Sequence, residues 1–367
     1  MERSTPRELF HKVMRFECPG RTLATLGGIW PSTLDRWVAE GMGPALADVG
    51  KLIDHLGLQR HIWCSPRASV FTYPPFERKV LAERADKVTY VNPHGVTCTE
   101  FRTDAFKSMP HFESYPVRTR EDWAGYRERL VWDDGRVGKK WQQQKAEWAD
   151  RADPLILAFN HGSSLYGSLR EIVGVEALSV LFYDDRAWVE EMMDTVAELF
   201  CRCVDVMFDN FAPDAFCLWE DMAYKTASLV SPRLVRELML PRHRRMAAKL
   251  REKGVPFIVL DSDGKIDELI PIWLEARIDG FVPMEVQAGM DVAVFRRRYP
   301  RMLMMGGVDK RALARGREAI DREMEKIRRT VAEGGFIPWF DHGLPHDVSY
   351  ANFLYYADRL KDVCGVG

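Results

Sequence analysis

From residue 154 to the C-terminus, short runs of continuously apolar residues alternate with longer amphipathic segments, and this alternation constrains the fold more than any other feature of the chain. The runs are LILAFN, AFCLWE, PFIVLD, DGFVPME, MLMMGGVD and GFIPWFDH, each of strand length. A strand covered on both faces needs apolar residues at every position, whereas a strand with one wet face alternates. Between the runs lie helical stretches such as DDRAWVEEMMDTVAELFCRCVDVMF, SPRLVRELMLPRHRRMAAKLREKG and KRALARGREAIDREMEKIRRTVAEGG. The second opens on Ser-Pro and stops at Gly254, as helix starts and stops do. Strands alternating with helices give a parallel sheet of the α/β class. A nucleotide-binding open sheet usually carries a glycine-rich turn after a strand, and neither GxGxxG nor GxxxxGK[ST] follows any run. A closed (β/α)8 TIM barrel is therefore expected.

The N-terminal part reads as additions to that barrel. Thr5-Pro6-Arg7-Glu8 has a capping hydroxyl, a proline at the first helical position and a glutamate at the third, so a helix should start there. Residues 22–26 form a short apolar run before Gly27-Gly28 and are expected as the first strand. Residues 87–101 favour β structure around Asn92-Pro93-His94-Gly95, which predicts a hairpin. Residues 120–152 are charged, with helical spacing, and are expected as a surface helical excursion. The chain is read as one domain, 1–367, with additions in 1–150 and the main run of β/α units in 151–367.

Composition narrows the partners. Fifty-two basic against 54 acidic residues give a formal charge of −2, so no global field attracts nucleic acid or an anionic membrane. No stretch approaches the roughly 18 apolar residues of a membrane span, and the N-terminus reads as a helix rather than a signal peptide. The seven cysteines are odd in number and scattered without a CxxC, as in reduced intracellular proteins, so disulfides and a four-cysteine zinc site are not expected. Cys201 and Cys203 sit on a predicted helix as buried thiols. A cytoplasmic enzyme acting on a small molecule is the expectation, with a homodimer possible.

In a (β/α)8 barrel the residues after each strand converge on one mouth, where the active site lies. Those positions hold Asn160-His161, Glu220-Asp221, Asp261-Ser262-Asp263-Gly264, Glu285, Asp309 and Asp341-His342. Any one such residue is explained by loop exposure or helix capping, and Asp309, just before a helix at Lys310, is read as an N-cap. Together, Glu220, Asp261 or Asp263, Glu285 and His342 crowd negative charge with no Lys or Arg in the same positions. Such groups must protonate, pair or share a cation. Carboxylates with one imidazole suit a divalent metal, zinc first, with Mn²⁺ or Fe²⁺ also fitting.

His161 stands among small residues, as either a turn or an anion contact, and His243 and His346 read as solvated. Trp30, Tyr166, Trp219, Trp339 and Tyr350 flank the expected mouth. They pack the rim or line a pocket for a flat, aromatic ligand.

Ser231-Pro232-Arg233-Leu234 with Pro241, Asp261-Ser262-Asp263-Gly264, FVPMEVQAGMDV, MLMMGGVDKRALARG and PWFDHGLPHDVSYANFLYY carry a resemblance to the uroporphyrinogen decarboxylase superfamily, whose fold is a (β/α)8 barrel. Its decarboxylases grip a polycarboxylate through an N-terminal arginine-rich motif. Here that region reads TLATLGGIWPST, which argues against uroporphyrinogen. Its zinc methyltransferases carry His-x-Cys-Gly and a later Gly-Cys-Gly. Asp261-x-Asp263-Gly264 and Asp341-His342-Gly343 stand at those places, replacing soft thiolates by harder ligands. The resemblance thus implies a corrinoid-dependent, O-demethylase-type methyltransferase that moves a methyl group from a methoxylated compound to a corrinoid (cobalamin) on a partner protein. Asp263, Glu285 and His342 are the metal ligands it implies, with Glu220 or Asp261 as fourth ligand or proton donor. Trp30, His161, Tyr166, Trp219 and Trp339 are the residues expected around the substrate. A cofactor-independent decarboxylase or lyase is the alternative.

Overall fold

The computed structural model describes residues 4–102 and 109–366. Strand β1 (Ile62–Cys64) is followed by β2 (Lys79–Glu83), β3 (Lys87–Val91), β4 (Thr97–Phe101) and β5 (His111–Ser114). The apolar runs then become β6 (Leu155–Ala158), β7 (Ala215–Trp219), β8 (Ile258–Asp261), β9 (Gly280–Val282), β10 (Leu303–Val308) and β11 (Phe336–Phe340). β1 and β6 to β11 form one parallel sheet in the order β1-β6-β7-β8-β9-β10-β11. The expected hairpin is β3 and β4, paired from Lys87↔Phe101 to Val91↔Thr97, and β2 and β5 extend it to four antiparallel strands.

Side-chain alternation sorts the parallel strands into two faces. Ile156, Ala158, Ala215, Cys217, Val259, Leu303, Met305, Ile337 and Trp339 form one cluster, on the inner face. Leu155, Leu157, Phe216, Leu218, Ile258, Leu260, Met304, Phe336 and Phe340 belong to the other, with the surrounding helices. Both sets are buried, which is why the runs are apolar at every position. The inner cluster includes Leu9, Phe10, Val13 and Met14 of the helix Pro6–Met14, which is capped as expected by reciprocal Thr5 and Glu8 bonds. That helix plugs the N-terminal ends of the strands and leaves the other end for a ligand.

The plug is fastened by one carboxylate. Asp214, just before β7, accepts hydrogen bonds from Arg7 Nε (2.8 Å), Arg151 Nε (3.0 Å) and the Leu155 amide (2.9 Å), and pairs with His11 Nε2 (2.8 Å). Burial alone would raise this acid, but the bonds from His11, Leu155 and Arg7 and the charge of Arg151 outweigh it and hold its pKa well below the usual range. A depressed carboxylate stabilises the fold above its unfolded pKa of about 4 and loses that contribution as pH falls towards its folded value. Asp214→Ala is expected to cost about 3 kcal/mol in urea unfolding at neutral pH, a deficit that shrinks in acid. An unchanged urea midpoint would remove Asp214 from this role.

Four expectations are corrected. Residues 22–26 form no strand; the Thr22 hydroxyl donates to the Phe336 carbonyl (2.7 Å) and Gln59 N–H to the Ala24 carbonyl (2.8 Å), so the segment lies between β11 and the approach to β1. The parallel sheet has seven strands among the described residues rather than the eight of a closed barrel, and the first, β1, lies in a stretch with no apolar run to mark it. The helices Arg120–Arg127 and Lys139–Glu147 exist, but Trp123, Tyr126 and Trp141 are buried in the outer core rather than lying on a surface excursion. The helix expected after Asp309 divides at Gly316 into Lys310–Ala314 and Arg317–Ala332.

Candidate functional site

The alternation that fills the inner face also fixes what stands above it. Trp219 follows Ala215 and Cys217 in parity on β7, Asp261 follows Val259 on β8, and Trp339 follows Ile337 on β11, so all three sit on the inner face at the C-terminal ends. Trp219 and Asp261 are register partners across the sheet. These residues line a cavity of about 480 Å³ together with His61, Trp63, Asp221, Asp263, Pro283, His342 and the Gly27-Gly28 turn. No Lys or Arg is among its lining residues.

Asp261 is the most perturbed acid of the cavity. Its side chain makes no hydrogen bond among the described residues, and burial, reinforced by Asp263 and Asp221 and opposed by His342, pushes its pKa up to about 8. It is thus a protonated acid at neutral pH, able to give a proton to a bound ligand. Asp263 Oδ2 lies 3.3 Å from His342 Nε2, both about half-exposed. The bond to Asp263 raises the His342 pKa. Gly264, at φ +81°, allows the turn that carries Asp263, since a Cβ there would stand 2.5 Å from the Ala223 carbonyl oxygen.

The expected metal ligands are only partly assembled. Asp263 and His342 meet, but Glu285 Oε2 accepts the Gly264 N–H (2.8 Å), and no group of three or more His, Cys, Asp or Glu among the described residues is arranged to hold a metal ion. The donor set as it stands therefore does not fit a three-ligand zinc site. Asp341 is buried and accepts the Val286 amide (2.8 Å), bracing two loops.

Two residues expected at the site lie elsewhere. Glu220, immediately after β7, is fully buried on the side of the helices and accepts hydrogen bonds from the Ser164 hydroxyl (3.0 Å) and the Leu165 and Tyr166 amides (2.9 and 2.8 Å). Its other partner is His243 Nε2 at 2.6 Å, so His243 is buried rather than solvated. Glu220 is a helix-start anchor, not a group facing ligand. Tyr166 is also fully buried, on the helix Tyr166–Val173 that Glu220 anchors. Trp30 stays on the rim, 38% exposed, its indole against Gly343, and His161 stands behind Trp219. His346 is on the outer loop, where its carbonyl accepts Arg36. Tyr350 packs against Trp37. Asp309 is an N-cap as expected, accepting the Arg311 amide, and Cys201 and Cys203 are buried free thiols.

Sequence reasoning misses His61. Its ring stacks on Trp339 (5.4 Å, 9° between planes), Nδ1 pairs with the Thr25 hydroxyl at 2.8 Å, and burial pushes its pKa down to about 4. It is a neutral imidazole held flat against an aromatic wall. The one signal pointing to it, the three-residue strand that follows, is too short to be read from periodicity.

The uroporphyrinogen decarboxylase (URO-D) family model matches residues 166–363, just over half of the chain. The chain belongs to that family. Among solved structures, this URO-D family member is similar to a methyltransferase from Methanosarcina mazei, with 14% identity and a TM-score of 0.65 over 98% of this chain and 99% of that one. That likeness shows a shared fold over the whole length. A B12-independent methionine synthase from Shewanella sp. W3-18-1, in complex with selenomethionine, is 12% identical with a TM-score of 0.38, covering 79% of this chain and 74% of the other. No curated protein matches the sequence significantly.

Proposed function

We propose that this URO-D family chain is a methyltransferase that takes a methyl group from a methoxylated aromatic compound and passes it to a corrinoid carried by a partner protein. The observation that carries the reading is the unbonded carboxyl of Asp261 under tryptophan walls, beside the Asp263–His342 pair. An aryl methyl ether is flat and uncharged, matching a cavity of Trp63, Trp219 and Trp339 without Lys or Arg. When its methyl–oxygen bond breaks, the electron pair stays on oxygen and the methyl group goes to the reduced acceptor. The oxygen then takes the proton of Asp261, which leaves a neutral phenol and a carboxylate. The Asp263–His342 pair, both of whose members are charged when His342 holds its proton, keeps the surroundings polar as Asp261 ionises.

The decarboxylase alternative needs a carboxylate substrate, and no Lys or Arg lines the cavity to hold one. Purified protein mixed with ortho-methoxyphenol and reduced cobalamin, free or on a corrinoid protein, should yield catechol and methylcobalamin, read by the visible spectrum and chromatography. Release of carbon dioxide from an aromatic carboxylate without methyl transfer would establish the alternative instead. A stoichiometric metal, lost in both Asp263→Ala and His342→Ala, would replace Asp261 by a Lewis acid in the mechanism.

A further inference from the structure

Three indoles wall the cavity at the mouth of the sheet. Trp63 and Trp339 stand almost at right angles, with 84° between their planes and ring centroids 6.3 Å apart, and Trp219 lines the same space of about 480 Å³. The face of an indole is electron-rich and attracts a cation that comes within about 6 Å of the ring. Trp219 already holds one: the Arg170 guanidinium stands 5.1 Å from its ring, in a neighbouring pocket rather than in the mouth.

The charges of the lining leave a place for a second. Asp221 is bonded to Arg170 and Asp263 pairs with His342, so two of the three acids have partners. The Asp261 carboxyl has none among the described residues, and no Lys or Arg lines the cavity. His61, neutral and stacked flat on Trp339, adds no positive charge. A cation in this space meets aromatic faces and one unpaired carboxyl, and its own charge favours the ionised form of that carboxyl.

The kind of cation follows from what the walls can replace. A small metal ion needs several ligands to take over from its water, and among the described residues no such group is assembled. A quaternary ammonium has no N–H to satisfy and spreads its charge over methyl groups, so aromatic faces can stand in for water around it. A carboxylate elsewhere in the same ligand would find no basic partner.

We infer that the mouth also binds a methylated quaternary ammonium ion lacking a carboxylate, held by Trp63, Trp219 and Trp339 with Asp261 as its counter-ion. The binding does not depend on the methyltransferase reading. With that reading, such an ion is a second class of methyl donor beside the aryl ethers. The carbon–nitrogen bond breaks, the nitrogen keeps the electron pair and leaves as a neutral tertiary amine, and the methyl group passes to the reduced corrinoid. No proton is called for, so the carboxylate form of Asp261 suffices.

Calorimetry with choline and with 3,3-dimethylbutan-1-ol, which has the same shape with carbon in place of the charged nitrogen, isolates the charge; EDTA keeps stray metal out of the cavity. Wild-type protein is expected to bind choline at least about tenfold more tightly than the alcohol. Asp261→Asn should remove most of that preference, and Trp63→Leu should weaken choline more than the alcohol. Equal or tighter binding of the alcohol by wild type overturns the inference, whether or not the variants fold, and so does a preference that neither folded variant changes. If the preference follows the variants but neither choline nor an aryl ether gives a methyl group to reduced cobalamin, the methyltransferase reading falls and the cation site stands. If the ether is demethylated and choline does not bind, the cation site falls and that reading stands.

Discussion

In the proposed reaction, Asp261→Asn is expected to lower the rate of methyl transfer at least about a hundredfold while making the protein more stable at neutral pH. Asparagine keeps the shape and hydrogen-bonding capacity of the acid but has no proton to give the leaving oxygen. The stability gain follows from the direction of the pKa shift. Burial raises Asp261 far above its ordinary value, to about 8. Below about pH 4 the carboxyl is protonated in both folded and unfolded chains, so it costs nothing there. Between about 4 and 8 the unfolded chain ionises freely while the folded chain stays protonated, and stability falls as pH rises. The variant escapes that loss, so its thermal midpoint should exceed wild type by more at pH about 8 than at pH about 5. Wild-type turnover should decline as pH rises through about 8, because the acid is then ionised before the proposed ether substrate binds. A variant that turns over at the wild-type rate would take the proton-donor role away from Asp261. A site that gives up stability to keep an acid protonated is a familiar exchange of stability for activity.

The part of this molecule legible in its sequence is the part in which each residue has one dominant reason to be where it is. Six of the seven parallel strands are marked because burial on both faces forces continuous apolar runs. β1 is not, because three residues give periodicity nothing to act on, and with it go His61 and Trp63 from the candidate site. Residues 22–26 look like a strand, yet the side chain of Thr22 and neighbouring carbonyls take up the bonds a strand would make. The charged helices of 120–152 hide buried tryptophans because one or two aromatics per helix suffice to anchor a polar helix.

At the site the same logic applies at finer grain. Asp261, Asp263 and His342 are legible because a strand-end acid or imidazole is conspicuous. Glu220 misleads unless parity is followed along its strand. If Ala215, Cys217 and Trp219 face inward, its neighbour Glu220 must face the helices, and only the three-dimensional packing shows the His243 imidazole there. The local sequence conceals that partner, because His243 is carried on LPRHRRM, a stretch rich in basic residues that reads as a wet helical face.

Glu220→Ala is therefore expected to damage the fold rather than the chemistry, by about 3–5 kcal/mol, the scale for breaking a fully buried polar pair. The substitution strands two backbone N–H groups at the start of the helix Tyr166–Val173, the Ser164 hydroxyl and His243 Nε2, none of which reaches solvent. His243 Nδ1 already lacks a partner among the described residues, so the imidazole would then sit buried with neither nitrogen bonded. Glu220→Gln should cost less, because its carbonyl oxygen can still accept one or two of the four bonds while its NH2 opposes the rest. A double-mutant cycle with His243→Leu separates the pair from the backbone bonds. Removing His243 after Glu220 should cost less than removing it alone, giving a coupling of about 1 kcal/mol or more. Because Glu220 faces away from the cavity, folded Glu220→Gln protein should keep most of its turnover per molecule. Urea unfolding and a turnover assay on the same sample decide it: a Glu220→Gln variant of undiminished stability and a hundredfold loss of rate would return Glu220 to the chemistry, through a route to the cavity that its present partners do not offer.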